Sequence, residues 1–211
     1  MASRGKSTCT LIIQVWALGA WILLFFDCVV MQAHHAFEPA RDGLVLTVGQ
    51  WIGYVVIASS IFLVEGLGAF QRGFSPMLVR RTRELTAASR WYEIVLGPAF
   101  IAGLFAATPR RLFKSWLLMA ILIPGLALTV PLLPQPWRAA VDAGVALGLG
   151  WGTAVILVLA SSAAFRGQWP DVDADFPSSR NISSLPKDDS WPLAVGQEAV
   201  AEAAPQPASS A

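Results

Sequence analysis

Four stretches of this chain run for about twenty residues with almost no charge: residues 11–31, 44–65, 115–133 and 139–165. An α-helix rises ~1.5 Å per residue, so each matches the ~30 Å hydrocarbon core of a bilayer. Nothing in lipid can take up a stray backbone N–H or C=O, so each stretch has to be helical. The chain around them is poor in charge as well, with 14% of residues charged and 55% hydrophobic. A soluble domain holds about a quarter charged residues to keep its surface wet. The expected fold is therefore all-α, an integral membrane helical bundle of four transmembrane helices within residues 1–166. Residues 11–31 exceed the ~7–15 apolar residues of a signal peptide and read as a retained helix.

A fifth apolar run, residues 91–108, carries Glu93 near its start and Gly97-Pro98 in its middle. Charge decides between a fifth span and a re-entrant or interfacial segment. If it crosses, eight Lys/Arg fall on one side and seven on the other. If it does not, thirteen share one side and only Arg41 and Arg138 lie opposite. The positive-inside rule favours the second arrangement, with the N-terminus and the C-terminal tail both cytoplasmic. A five-span bundle is the alternative, with Pro98 kinking a true span. Ser75-Pro76 reads as the start of a short basic helix. Pro124-Gly125 predicts a kink in the third span.

Residues 1–166 hold 13 basic and 7 acidic residues, and residues 167–211 hold 2 and 7. The second segment is rich in Pro, Ser and Ala, and its composition reads as a disordered acidic tail. Cys9 and Cys28 flank the first run roughly 28 Å apart on a helix, beyond the ~7 Å reach of a disulfide.

Three groups of residues stand out as candidate sites. On the second span, Thr47, Gln50, Tyr54, Ala58, Ile61 and Glu65 fall within about 80° of one another at ~100° per residue. With Arg72 they form either a polar pathway or an inward packing stripe. At the outer boundary, Asp27, His34, His35, Arg138 and Asp142 form a candidate cluster, read first as interfacial groups that reach toward water. Proton relay or a metal site from Asp27, His34 and His35 is the less favoured reading, because a metal wants three or four ligands and Asp142 or Glu38 would have to complete the set. Asp142 near the start of its helix suits the positive end of the helix dipole. Gly144, Gly148 and Gly152 repeat every fourth residue, the spacing that lets two helix backbones approach closely.

The basic residues between Arg72 and Arg90, and the group Arg110, Arg111 and Lys114, are expected to meet anionic lipid headgroups. There is no nucleic-acid-binding module, no Walker loop, no dinucleotide fingerprint and no His-Glu-x-x-His. No cofactor is expected.

Two stretches carry a resemblance: Glu65-Gly66-Leu67-Gly68-Ala69-Phe70-Gln71-Arg72-Gly73-Phe74-Ser75-Pro76, and Leu133-Pro134-Gln135-Pro136-Trp137-Arg138 running into Val141-Asp142-Ala143-Gly144. They resemble short uncharacterised polytopic membrane proteins, which implies a helical membrane fold and no particular chemistry. The sequence favours a non-enzymatic accessory or structural subunit, packed against other membrane subunits, a second copy of itself or lipid. The alternatives are a small transporter or channel built on the second span, and a membrane metal or redox enzyme built on Asp27, His34 and His35.

Overall fold

The computed structural model describes residues 2–177, with side chains from Thr8 onward. It is all-helical, with no strand among the described residues. Four helices are long and apolar enough to cross a membrane. They are α1 (Ala2–Ala36), α3 (Val48–Thr82), α6 (Pro109–Leu132) and α7 (Trp137–Arg166). Short helices fill two connections: α2 (Glu38–Arg41) between α1 and α3, and α4 (Trp91–Val95) and α5 (Gly97–Ile101) between α3 and α6. One end of the bundle therefore carries α2 and the turn into α7. The other carries residues 83–108. We call these the histidine end and the arginine end.

Residues 91–108 form no continuous helix of spanning length. With the residues just before them they lie along α1: the Ala87 N–H donates to Thr10 Oγ1, Gln14 Nε2 to the Leu85 carbonyl, and Trp21 Nε1 to the Pro98 carbonyl at 2.8 Å. From Thr10 to Trp21 is about 16 Å of helix at ~1.5 Å per residue. The segment climbs that far along α1 and returns to Thr108, where α6 begins. Gly97 permits the close approach, since a Cβ there would lie 3.0 Å from that of Ala17.

The second span is longer than its hydropathy suggests. Ser75-Pro76 starts no new helix; α3 runs through it to Thr82. The reason lies upstream, where residues Phe62–Phe74 have π-helical pairing. Proline lacks an N–H and its ring crowds the carbonyl four residues back. The wider π turn moves that carbonyl away, and Pro76 falls where the pairing returns to α. The same device recurs in α6, where the π segment Leu117–Leu122 stops two residues before Pro124.

Helix α7 is the axis of the bundle, in contact with α1 and with both halves of α3. Its glycine series makes the seam. A Cβ on Gly144 would stand 2.7 Å from Ile61 Cβ, and one on Gly152 would stand 2.8 Å from the Phe70 ring. One on Gly148 would stand 3.4 Å from Glu65 Cβ. The apolar core sits toward the arginine end, where Trp21, Phe25, Leu78, Leu85, Phe100 and Ile156 are buried together. Phe25 and Phe74 stack edge-on against Trp21, and Phe70 stacks edge-on against both of them.

The compact unit extends to Phe176, ten residues past the end of α7. Gly167 ends that helix in the left-handed conformation (φ +66°), as a glycine cap does. Residues 168–176 then pass back over the arginine end as a strap. So the change in composition at Gly167 is not the boundary of the packed body. Trp169 and Phe176 supply the apolar surface that holds the strap down. The remainder of the acidic tail, residues 178–211, lies outside the described residues.

Arg81 fastens these pieces together. Its side chain is fully buried. Nε donates to the Phe100 carbonyl at 2.9 Å and Nη1 to the Ala174 carbonyl at 2.7 Å. Nη2 donates to the Phe105 and Ala106 carbonyls at 3.3 and 3.1 Å. The rings of Phe100 and Phe176 pack beside it, with centroids 4.9 and 4.3 Å from Cζ and 5.8 Å from one another. Replacing Arg81 by Met leaves several carbonyls unpaired, at ~1–3 kcal/mol each. With relaxation of the loop, a net loss of about 3 kcal/mol is expected, or roughly 6–12 °C in Tm for a domain of this size. Arg81→Lys keeps the charge but not the planar fork, and should fall between. Thermal denaturation in detergent checks this; an unchanged Tm for Arg81→Met would refute the assignment.

Candidate functional site

The histidine end gathers most of the polar residues that the sequence placed at the outer boundary. His34 and His35 close α1, and α2 folds back so that Glu38 and Arg41 face them. His35 Nδ1 and Glu38 Oε1 are 2.6 Å apart. The other oxygen of Glu38 accepts from Gln135 Nε2 at 2.8 Å. Arg138 reaches from α7 to within 3.4 Å of His35 Nδ1 and pairs with Asp142 at 3.7 Å. Arg41 hydrogen-bonds the ring of His34 and donates to its carbonyl. Tyr54 on α3 donates to the Ala36 carbonyl at 3.0 Å and closes the cluster from the third helix.

Asp142 does not cap its helix. It lies one and a half turns in, is buried, and turns Oδ2 toward the interior without a hydrogen bond. Helix α7 begins at Trp137 with no side-chain cap at Pro136. Asp142 thus serves the cluster, as a counter-ion to Arg138. Asp27 is absent from the cluster. It is exposed on α1, seven residues before His34, and makes no ion pair or hydrogen bond with the described residues.

The group nearest to a metal site is His34, His35 and Glu38, whose ligand atoms lie within 4.8 Å of one another. Glu38 takes the place that the sequence gave to Asp27. The arrangement fits a metal poorly. A guanidinium already lies against each imidazole, from Arg41 and from Arg138, and a cation would have to displace both. The geometry is that of a hydrogen-bonded clamp joining α1, α2 and α7.

The stripe on the second span resolves into packing. Thr47 and Gln50 form a capping box that starts α3. Ala58 and Ile61 lie over Gly144, and Glu65 over Gly148. Arg72 is exposed and forms no ion pair with Glu65. Of the basic residues from Arg72 to Arg90, Arg81 is turned into the core and is closed to headgroups. Arg80 pairs with Glu84 at 2.9 Å, and Arg90 lies against the Tyr92 hydroxyl at 2.7 Å.

Sequence reasoning missed Arg81, and it weighed Glu38 only as a residue that could complete the histidine cluster. The signal for Arg81 was its register: it follows the buried Met77 and Leu78 by four and three residues, on one helical face. Arg83 falls off that face and is exposed. The central place of Glu38 was not legible because it follows the apolar run, in a turn whose fold-back the hydropathy does not show.

The clamp has a pH dependence with a definite sign. The His35 hydrogen bond holds the Glu38 carboxyl below its ordinary range, and Arg138 and Arg41 add to this against the upward push of partial burial. A carboxyl depressed in the folded state stabilises above its unfolded pKa of about 4.3 and loses that contribution as pH falls through the lower folded value. Thermal denaturation should therefore show stability level above about pH 5 and declining below about pH 4, with part of the decline removed by Glu38→Gln. An identical acid profile for that variant would count against the clamp.

No protein-family profile, curated protein or solved structure matches the chain.

Proposed function

We propose that the chain is a non-catalytic accessory subunit of a membrane assembly, acting through its helix faces. The supporting observation is the state of α6. Only 6% of its most apolar stretch is buried, against 28% for α7. Every residue from Ile121 to Thr129 is exposed, so over more than two turns no azimuth of the helix meets the rest of the chain. The helix is held at its ends. Ser115 Oγ donates to the Ala102 carbonyl and Trp116 Nε1 to that of Leu104, while residues Val130–Leu132 rest on α7. A helix spaced off its own bundle in this way leaves room for another.

Asp27 supports the same reading. It stands among the exposed residues Leu23, Leu24, Phe26 and Val30, on the face of α1 that would meet lipid. A carboxylate on a lipid-facing helix costs up to ~2.5–3.5 kcal/mol by the insertion scale, and a polar group from a neighbouring chain offsets that cost. In this reading the arginine end is cytoplasmic, by the positive-inside rule, and residues 91–108 are a re-entrant segment. To test it, p-benzoylphenylalanine is placed in turn at Asp27, Leu122 and Val158, and native membranes are irradiated. Adducts of defined mass are expected from the first two positions and not from Val158. Uncross-linked monomer at all three would overturn the proposal.

A second reading, a small ion or proton transporter, is favoured by one observation. Glu65 is the midpoint of α3, seventeen residues from Val48 and seventeen from Thr82. The apolar run alone placed it at an end. It is half-buried against Gly148, within the π-helical segment, and the described residues give it no hydrogen bond or ion pair. π-Segments recur at functional sites. On this reading proteoliposomes conduct protons or an alkali cation, and Glu65→Gln abolishes the flux. Absence of flux of protons, sodium and potassium by the unmodified protein would retire it.

A further inference from the structure

We infer that the arginine end holds a binding site for the phosphate group of an anionic lipid, in the cavity where α6 begins. This inference stands independently of either reading above. The cavity measures about 640 Å³ and is lined by Thr108, Pro109, Arg110, Arg111, Lys114 and Asp175. Three cationic side chains face one carboxylate, so the lining carries two surplus positive charges. That balance suits one phosphate group.

Arg111 shows that the site is built rather than a chance meeting of surface charges. Its aliphatic stem lies on Gly103, which has φ +74° and no side chain to obstruct it. A Cβ on Gly103 would stand 3.1 Å from both Cγ and Nε of Arg111. The Nε is fully shielded and has no hydrogen-bond partner in the protein. The side chain is thus seated at its base by Gly103, and no acceptor among the described residues occupies its guanidinium.

The backbone adds donors. Thr108 makes no side-chain cap and Pro109 has no N–H. The first N–H to find a carbonyl within the helix is that of Leu112, which donates to Thr108. The N–H groups of Arg110 and Arg111 therefore open the helix uncapped, at its positive end. Asp175 closes the other wall. Its carbonyl accepts from the Thr108 N–H at 2.8 Å, and its carboxylate lies near Arg111.

Depth points to a lipid as the source of the phosphate. One turn beyond Lys114 the helix turns wholly apolar. Phe113 and Trp116 are exposed at that level, as aromatic residues are at a headgroup boundary. A phosphate seated on Arg110, Arg111 and Lys114 would place its acyl chains along the bare surface of α6.

The test uses the full chain in detergent and native mass spectrometry, with short-chain phosphatidylglycerol, phosphatidic acid or phosphatidylcholine added, and inorganic phosphate in a separate arm. Retention of the two anionic lipids over phosphatidylcholine is expected. Lys114→Gln and Arg110→Gln together should reduce retention by tenfold or more, and Arg83→Gln, an exposed arginine away from the cavity, should leave it unchanged. Arg111→Lys, which keeps the charge and most of the stem, reports on the seated guanidinium if Arg111→Gln fails to fold. Retention that survives the double variant, or falls equally with Arg83→Gln, would overturn the site. Displacement of the lipid by inorganic phosphate at matched concentration would overturn the lipid as its source.

Discussion

The arginine end depends on a single side chain satisfying backbone that no helix or sheet can satisfy. Residues 102–107 are irregular, with Gly103 and Ala106 both at positive φ. In that conformation their carbonyls converge inward instead of pairing along a helix. A non-glycine residue held there costs about 1–2 kcal/mol. Arg81 supplies a planar set of donors where those carbonyls meet, and the Phe100 and Phe176 rings pack beside it. A lysine has neither the span nor the flat faces for this role. The same guanidinium holds Ala174, so the strap after α7, the loop before α6 and the end of α3 are fixed in one place. The proposed phosphate cavity inherits its geometry from this arrangement, since its lining is the start of α6, which follows that loop, and Asp175 of that strap.

The two π segments address a related difficulty further into the bundle. A proline inside a long helix leaves the carbonyl four residues back without its N–H partner. In α3 and in α6 the chain widens to π pairing just before the proline and returns to α pairing at it. The gain is a long helix without a break. In α3 this extension carries the chain from the histidine end to Arg81, so Pro76 and Arg81 belong to one structural solution. Ser75 contributes by donating to the Gly152 carbonyl at 3.2 Å, a contact open only because that position on α7 has no side chain.

The parts of this fold that were legible in the sequence are those governed by local composition. Four helices long and apolar enough to cross a membrane follow from hydropathy, because length and charge are local properties of a segment. The small-residue series on α7 was legible as a spacing, and it lies where Ile61, Glu65 and Phe70 need room. Helix ends were not legible where tertiary contacts override a local signal. Ser75-Pro76 has the form of a helix start, yet the π register upstream makes it the interior of α3. Residues 168–176 have the composition of a solvated tail, yet Trp169 and Phe176 are enough to fasten them. Arg81 reads as one more member of a basic loop, and only its register with Met77 and Leu78 separates it from Arg83.

The same contrast bears on Asp142 and Glu65, two carboxylates that hydropathy placed near the ends of their runs. Asp142 has Arg138 one turn away and the His35–Glu38 pair beyond it, so its charge is answered within the chain. Glu65 moves to the middle of α3 once the helix is seen to continue, and it faces a glycine instead of a cation. A carboxylate in that position is neutralised by a proton, met by a cation, or reached by a donor from another chain. The glycine opposite leaves space for any of the three. Glu65 is therefore where the accessory and transport readings diverge. Asp27 separates them further: it is exposed on α1, outside the seam between α3 and α7, on a face that a conduction path through that seam would not use.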